Sequence, residues 1–139
     1  MKITILSDIH ANLEALEMVM SESERVGISR FISLGDVVGY GPDPVACINR
    51  LRDVQATLIA GNHDMAIMDV NQIRLFNSFA RPSLFYAAQA VGRHELDYLA
   101  SQFLVYNGQN ELSRGAFAHA NPRDPVQMKP LYLAESIVD

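Results

Sequence analysis

Over its first sixty residues the chain alternates short apolar runs with stretches of helical periodicity. Ile3–Ser7 is an apolar run of strand length. Asn12 then offers a capping side chain, Glu14 puts negative charge in a first turn, and Leu13, Leu16 and Met20 recur at helical spacing until Gly27 supplies a stop. The third residue after Asn12 is Ala15, so the reciprocal half of a capping box is missing. Phe31–Leu34 predicts a second strand. Asp43-Pro44 then sets a carboxylate before a first-turn proline, and Val45, Ile48 and Leu51 form one apolar stripe. Ala56–Ala60, closed by Gly61, predicts a third strand. Strands alternating with helices predict an α/β fold: a β-α-β-α-β half with a parallel sheet and right-handed crossovers.

The pattern changes after Gly61. It predicts a loop to about Ala80, a helix over Pro82–Val91, a break at Gly92 and a second helix near Glu95–Ser101. Phe103–Tyr106, the turn signal Asn107-Gly108 and the run Ala116–Ala118 predict strands joined by tight turns in a second sheet. Leu131–Asp139 carries Leu131, Leu133, Ile137 and Val138 without a clear cap or stop, as an element interrupted. With no internal repeat, low-complexity tract or linker-like run, residues 1–139 are read as a single domain.

Composition narrows the function classes. At 139 residues, 49% hydrophobic and 19% charged, the chain suits one packed core and is too short for two. Its 11 basic and 16 acidic residues leave a net charge of −5, which argues against broad electrostatic binding to duplex nucleic acid. The one cysteine, Cys47, excludes an intramolecular disulfide framework and is expected to pack as a small hydrophobe. Charges interrupt every apolar stretch, so no membrane span is expected. The opening MKITILSDIHANLE lacks the long apolar region of a secretory signal, and a cytoplasmic location is expected.

Three polar strings each follow a predicted strand: Asp8-Ile9-His10, Gly35-Asp36 and Gly61-Asn62-His63-Asp64. His119 follows a fourth. The carboxyl ends of parallel strands lie together, so these strings can converge on one crevice. Asp8 and His10 are two apart, which on an extended backbone turns both side chains to one face. A carboxylate such as Asp36 can bridge two cations, while Asn62 supplies a neutral oxygen and His119 an imidazole nitrogen. Mixed oxygen and nitrogen ligands suit manganese, iron or zinc, whereas magnesium and calcium favour oxygen alone. Each string has a bland reading: Gly-Asp and Gly-Asn are turn formers, and a strand-end histidine can be merely solvated. A string such as GNHD, however, should arise by chance in only about one in two thousand chains of this length. His94, between Arg93 and Glu95, reads as a solvated helix residue.

The strings SDIHANLEAL, LGDVVGYGPDP, GNHD and HANPRDP resemble the calcineurin-like metallophosphoesterases, and most of all the small bacterial phosphoesterases and phosphodiesterases of that superfamily. The resemblance covers nearly the whole chain. It implies an α/β/β/α sandwich with two divalent metal ions, manganese favoured over iron or zinc. One would be held by Asp8, His10 and Asp36, the other by Asp36, Asn62 and His119, with Asp36 as the bridge. It also implies that His63 is no ligand but the general acid facing the substrate, with Asp64 orienting its imidazole. The implied reaction is hydrolysis of phosphomonoesters or phosphodiesters, small molecules or nucleotides, by a hydroxide activated between the metals.

The sequence departs from the family pattern in several places. The family's GHxH string, one histidine for each metal, is absent, and no histidine follows His119. The expectation is therefore an incomplete sandwich, truncated before its last strands, whose unpaired edge favours self-association. The alternative reading is a non-catalytic remnant or interaction protein that binds at most one metal weakly. Ala11 and Ala120 stand where relatives often carry glycine, a strain of about 1 kcal/mol wherever φ is positive. The Asp-Arg pair of the phosphoprotein phosphatase branch is missing. In its place the loop carries Gly39 and Tyr40, and Tyr40-Gly41-Pro42 could line a substrate crevice or only shape the approach to the Pro44 helix.

Overall fold

The computed structural model describes residues 2–102, 105–108 and 115–120. Three short strands, β1 (Thr4–Leu6), β2 (Phe31–Ser33) and β3 (Thr57–Leu58), form a parallel sheet in the order β1-β2-β3. Thr4 pairs with Phe31 and Ile32 with Thr57. Helices α1 (Leu13–Arg25) and α2 (Pro44–Asp53) connect the strands, as the alternating pattern predicts. Asn12 caps α1, its Oδ1 accepting the Ala15 N–H at 3.1 Å, and Gly27 leaves the helix in the left-handed region at φ +77°.

At the start of α2 the Asp43 carboxylate makes no capping bond, contrary to the sequence reading. Its backbone does the work: the Asp43 carbonyl accepts from Cys47 N–H and its own N–H donates to the Ala11 carbonyl, both at 3.1 Å. The helix start is thus tied to the loop after β1.

The core runs from Leu16 and Met20 of α1 through Ile48 and Leu51 of α2 to Leu58 of β3. Each such side chain contributes about 1.5–3 kcal/mol on full burial. Cys47 is fully buried, and burial, with the charges of Asp43, Glu14 and Glu17 adding to it, pushes its thiol up to about 12. It packs as a small hydrophobe, inert at neutral pH. On the β1 edge Ile5 is half exposed.

The expected loop after Gly61 is instead two short helices, α3 (Asn62–Met68) and α4 (Val70–Ile73). Local propensity reads Asn62, His63 and Asp64 as turn formers, but the helix is held by tertiary burial of Ala66, Ile67 and Ile73. Asp69 separates the two helices and caps the second through the Asn71 N–H. Helix α5 (Ala80–Ala90) begins two residues earlier than its periodicity suggests, because Asn77 Oδ1 accepts the N–H groups of Phe79 and Ala80. Gly92 precedes α6 (Arg93–Ala100).

Strands β4 (Val105–Gly108) and β5 (Gly115–Ala118) form a separate antiparallel pair. The register pairs Asn107 with Ala116 and Gly108 with Gly115, so Asn107-Gly108 lies inside the ladder and not at a turn. A turn preference is local, and the ladder's backbone bonds override it. The expected interrupted element at Leu131–Asp139 lies outside the described residues. Among the described residues, no helix is long and apolar enough to cross a membrane.

Candidate metal centre

The polar loops leave the carboxyl ends of β1, β2 and β3 together, and backbone bonds lace the first two side by side. Asp8 N–H donates to the Gly35 carbonyl at 3.1 Å, His10 N–H to Asp36 at 2.9 Å and Ala11 N–H to Val37 at 2.7 Å. Asp8 and His10 do not sit on extended backbone as their spacing suggests. They lie past the end of β1 at φ 55° and 48°, with Ala11 at 54° and Asp36 at 55°. Left-handed backbone costs a non-glycine residue about 1–2 kcal/mol, and such strain concentrates at functional sites. The strain expected at Ala11 is present, whereas Ala120 is not among the described residues with positive φ.

Two glycines let the second and third loops touch. A Cβ on Gly35 would lie 2.6 Å from Gly61 N, and one on Gly61 would lie 2.2 Å from both Asp36 N and Asp36 Oδ1. The Gly-Asp and Gly-Asn strings therefore record a backbone contact that no side chain could share. It seats Asp36 beside α3, where its Oδ1 accepts the His63 N–H at 2.9 Å.

That bond leaves Asp36 Oδ2 for the two histidines on either side, His10 Nε2 at 3.9 Å and His119 Nε2 at 3.5 Å. Asp8 Oδ1 lies 3.8 Å from His10 Nε2, and Asn62 Oδ1 lies 3.0 Å from His119 Nε2. Two ligands of one ion, each about 2.1 Å from it, cannot stand more than about 4.2 Å apart, and all four separations fall within that limit. Both imidazoles are held from behind. His10 Nδ1 donates to the Val38 carbonyl at 3.0 Å and His119 Nδ1 to the Leu34 carbonyl at 2.8 Å, which turns each Nε2 toward the carboxylates. The donor chemistry fits a divalent ion.

Electrostatics point the same way. Burial alone would push the Asp36 carboxyl up, but the hydrogen bond and charge of His119 and the His63 amide bring it below its usual range. Burial pulls His119 down, yet its bond to Asp36, that carboxylate's charge and the Leu34 carbonyl raise it to about 9. The field that keeps a proton on His119 is the field that attracts a metal cation, and metal binding would release that proton.

His63 stands among the same groups. One ligand atom each from His10, Asp36 and His63 all lie within 4.8 Å of one another, so the geometry alone does not set His63 apart from the ligands. Its ring meets His10 at 4.7 Å and Phe76 of the segment after α4 at 4.9 Å. Gly39, at φ +93°, makes room for it, since a Cβ there would lie 2.3 Å from His63 Nδ1. Burial pulls the imidazole below its usual value, with Asp36 acting against that shift. Phe76 carries no spacing signal that links it to the polar strings, and only the packing of the α4–α5 connection brings it here.

Asp64 is engaged differently from what the resemblance implies. Its Oδ1 accepts from Val37 N–H at 2.9 Å and Val38 N–H at 3.1 Å, and its Oδ2 from Gly61 N–H at 3.0 Å. Among the described residues, His63 Nδ1 has no hydrogen-bond partner, so Asp64 does not orient the imidazole by a direct bond. Asp64 instead clasps the second loop to the third. It is fully buried, and burial together with the charge of Asp36 pushes its carboxyl up to about 7 against the pull of those three amides. Asp64→Ala strands three buried N–H groups and is expected to lower unfolding free energy by about 3 kcal/mol. Asp64→Asn, which keeps an acceptor, should lose less. Denaturant unfolding reads the difference, and an Asp64→Ala midpoint equal to the parent's would refute the clasp.

Comparison with known proteins identifies the family. The sequence model of the calcineurin-like phosphoesterases matches residues 1–133. An uncharacterized protein of Methanocaldococcus jannaschii is 32% identical over 123 residues, which are 88% of this chain and 51% of that protein. The crystal structure of a metallophosphoesterase from Sphaerobacter thermophilus superposes with a TM-score of 0.62 at 37% identity, over 75% of this chain and 42% of that one. That of a candidate diadenosine tetraphosphatase gives a TM-score of 0.59 at 25% identity, over 74% and 43%. The chain spans about half the length of these relatives.

Proposed function

Because the chain belongs to the calcineurin-like phosphoesterase family, we propose that it hydrolyses phosphomonoesters or phosphodiesters at a centre of two divalent ions, manganese favoured over iron or zinc. The observation that carries this reading is the position of Asp36 Oδ2 between His10 Nε2 and His119 Nε2, at 3.9 and 3.5 Å. Asp8, His10 and Asp36 would hold one ion, and Asp36, Asn62 and His119 the other. When bound, such ions supply Lewis acidity toward phosphoryl oxygens and bring the pKa of a water toward neutrality.

The remaining work falls to the chain's own residues. His63, in neither proposed ligand set, would pass a proton to the departing alkoxide, a transfer worth about 10²–10⁴-fold. Since burial disfavours its charged form and Asp64 is occupied by backbone amides, its proton is favoured by the Asp36 and Asp8 charges and by the anionic substrate. A net charge of −5 suits a phosphate gripped by metal and not by arginines.

The reading as a non-catalytic remnant is not favoured: it leaves unexplained why three of the five ligand residues are held in strained left-handed backbone. Hydrolysis of p-nitrophenyl phosphate and of its bis ester should appear with added manganese, vanish with a chelator and return on re-addition. Absence of turnover, with less than one metal bound per chain, would restore the remnant reading.

A further inference from the structure

We propose that Tyr40 is the platform on which this site stacks a planar leaving group, so that its preferred phosphoesters carry an aryl ring or a nucleobase. The inference rests on the phosphoesterase reading and adds the substrate class. Tyr40 stands at φ +58°, a left-handed conformation that bulky side chains rarely adopt. It is also half exposed, so burial of its ring does not account for that backbone. The conformation is held from several sides. Tyr40 N–H donates to Ser83 Oγ of α5 at 2.8 Å, and Gly41 N–H donates to the His10 carbonyl at 2.9 Å. Three residues beyond Ser83, Tyr86 donates its hydroxyl to the Pro42 carbonyl at 3.0 Å.

This rigid mounting sets the Tyr40 ring against two of the site's three histidines, His10 and His63. The ring centroid lies 4.8 Å from His10 with the planes nearly perpendicular, and 5.2 Å from His63 at a tilt of 40°. An aromatic ring fixed beside the proposed proton donor, with half its surface in solvent, is within reach of the leaving group that this donor would protonate. A preorganised ring loses little freedom on stacking, and stacking tolerates any planar partner. The strings bind and activate phosphate; Tyr40 selects what the phosphate is attached to.

The test measures ligand affinity by calorimetry with manganese present, apart from any turnover. The ligands are non-hydrolysable phosphonates in which CH2 replaces the ester oxygen: the analogue of phenyl phosphate is compared with that of glycerol 3-phosphate, and the analogue of AMP with that of ribose 5-phosphate, on the parent, Tyr40→Phe and Tyr40→Ala. The parent should prefer the ring-bearing member of at least one pair by about tenfold, equivalent to about 1.4 kcal/mol. Tyr40→Phe should keep that ratio and Tyr40→Ala should bring it near one. The pair that responds tells an aryl site from a nucleobase site. A parent without preference, or a preference that survives in Tyr40→Ala, overturns the proposal. If the preference behaves as expected while p-nitrophenyl phosphate is not hydrolysed, the phosphoesterase reading fails and the platform stands.

Discussion

Asp36→Asn is expected to remove bound metal from both halves of the site and to lower phosphoester hydrolysis on the order of 10³-fold or more. The substitution changes almost nothing in shape. An asparagine can keep the acceptor that receives the His63 N–H, so the contact between the second loop and α3 survives. It removes the negative charge that faces both His10 Nε2 and His119 Nε2, and an amide oxygen bridges cations poorly. Asp36 is 4% exposed, so solvent cannot make up for the lost charge. Metal analysis after dialysis, with circular dichroism to confirm folding, separates this outcome from misfolding. A folded Asp36→Asn protein that retains two ions per chain would remove Asp36 from the role of bridge.

His63→Asn should give the opposite pattern: metal content near the parent's and turnover lower by about 10²–10⁴-fold, the range of a lost general acid. The imidazole sits over Gly39 and against Phe76, and asparagine is small enough to occupy that space without strain. A substrate whose leaving group needs no proton should show a much smaller loss, because p-nitrophenolate departs unaided whereas an alkoxide does not. Comparing p-nitrophenyl with alkyl esters thus tests the role and not merely the presence of His63. His63 shares a 4.8 Å cluster with His10 and Asp36, so the measurement also decides between acid and ligand: parallel loss of metal and activity would make it a ligand.

The strands and the first two helices were legible because their signals are local. An apolar run such as Phe31–Ser33, or Asn12 ahead of Leu13, Leu16 and Met20, carries its own instructions in spacing and capping. Helix α3 was not legible, for Asn62-His63-Asp64 favour a turn and the helix exists through burial of Ala66 and Ile67 against distant segments. Asn107-Gly108 failed for the complementary reason: a strong local turn signal lost to a ladder that pairs Gly108 with Gly115.

The sequence by itself determined which side chains could bind metal and in which order they follow the strands, because residue chemistry and strand periodicity are written along the chain. Tertiary structure alone decided how they meet. It put Asp8, His10 and Asp36 on left-handed backbone, pressed Gly35 against Gly61, gave Asp64 to backbone amides instead of His63, and mounted Tyr40 beside His10 and His63. Each of those outcomes depends on which distant group fills the space or offers the amide. Such competition is settled only when the loops are packed together, and no spacing along the chain encodes it.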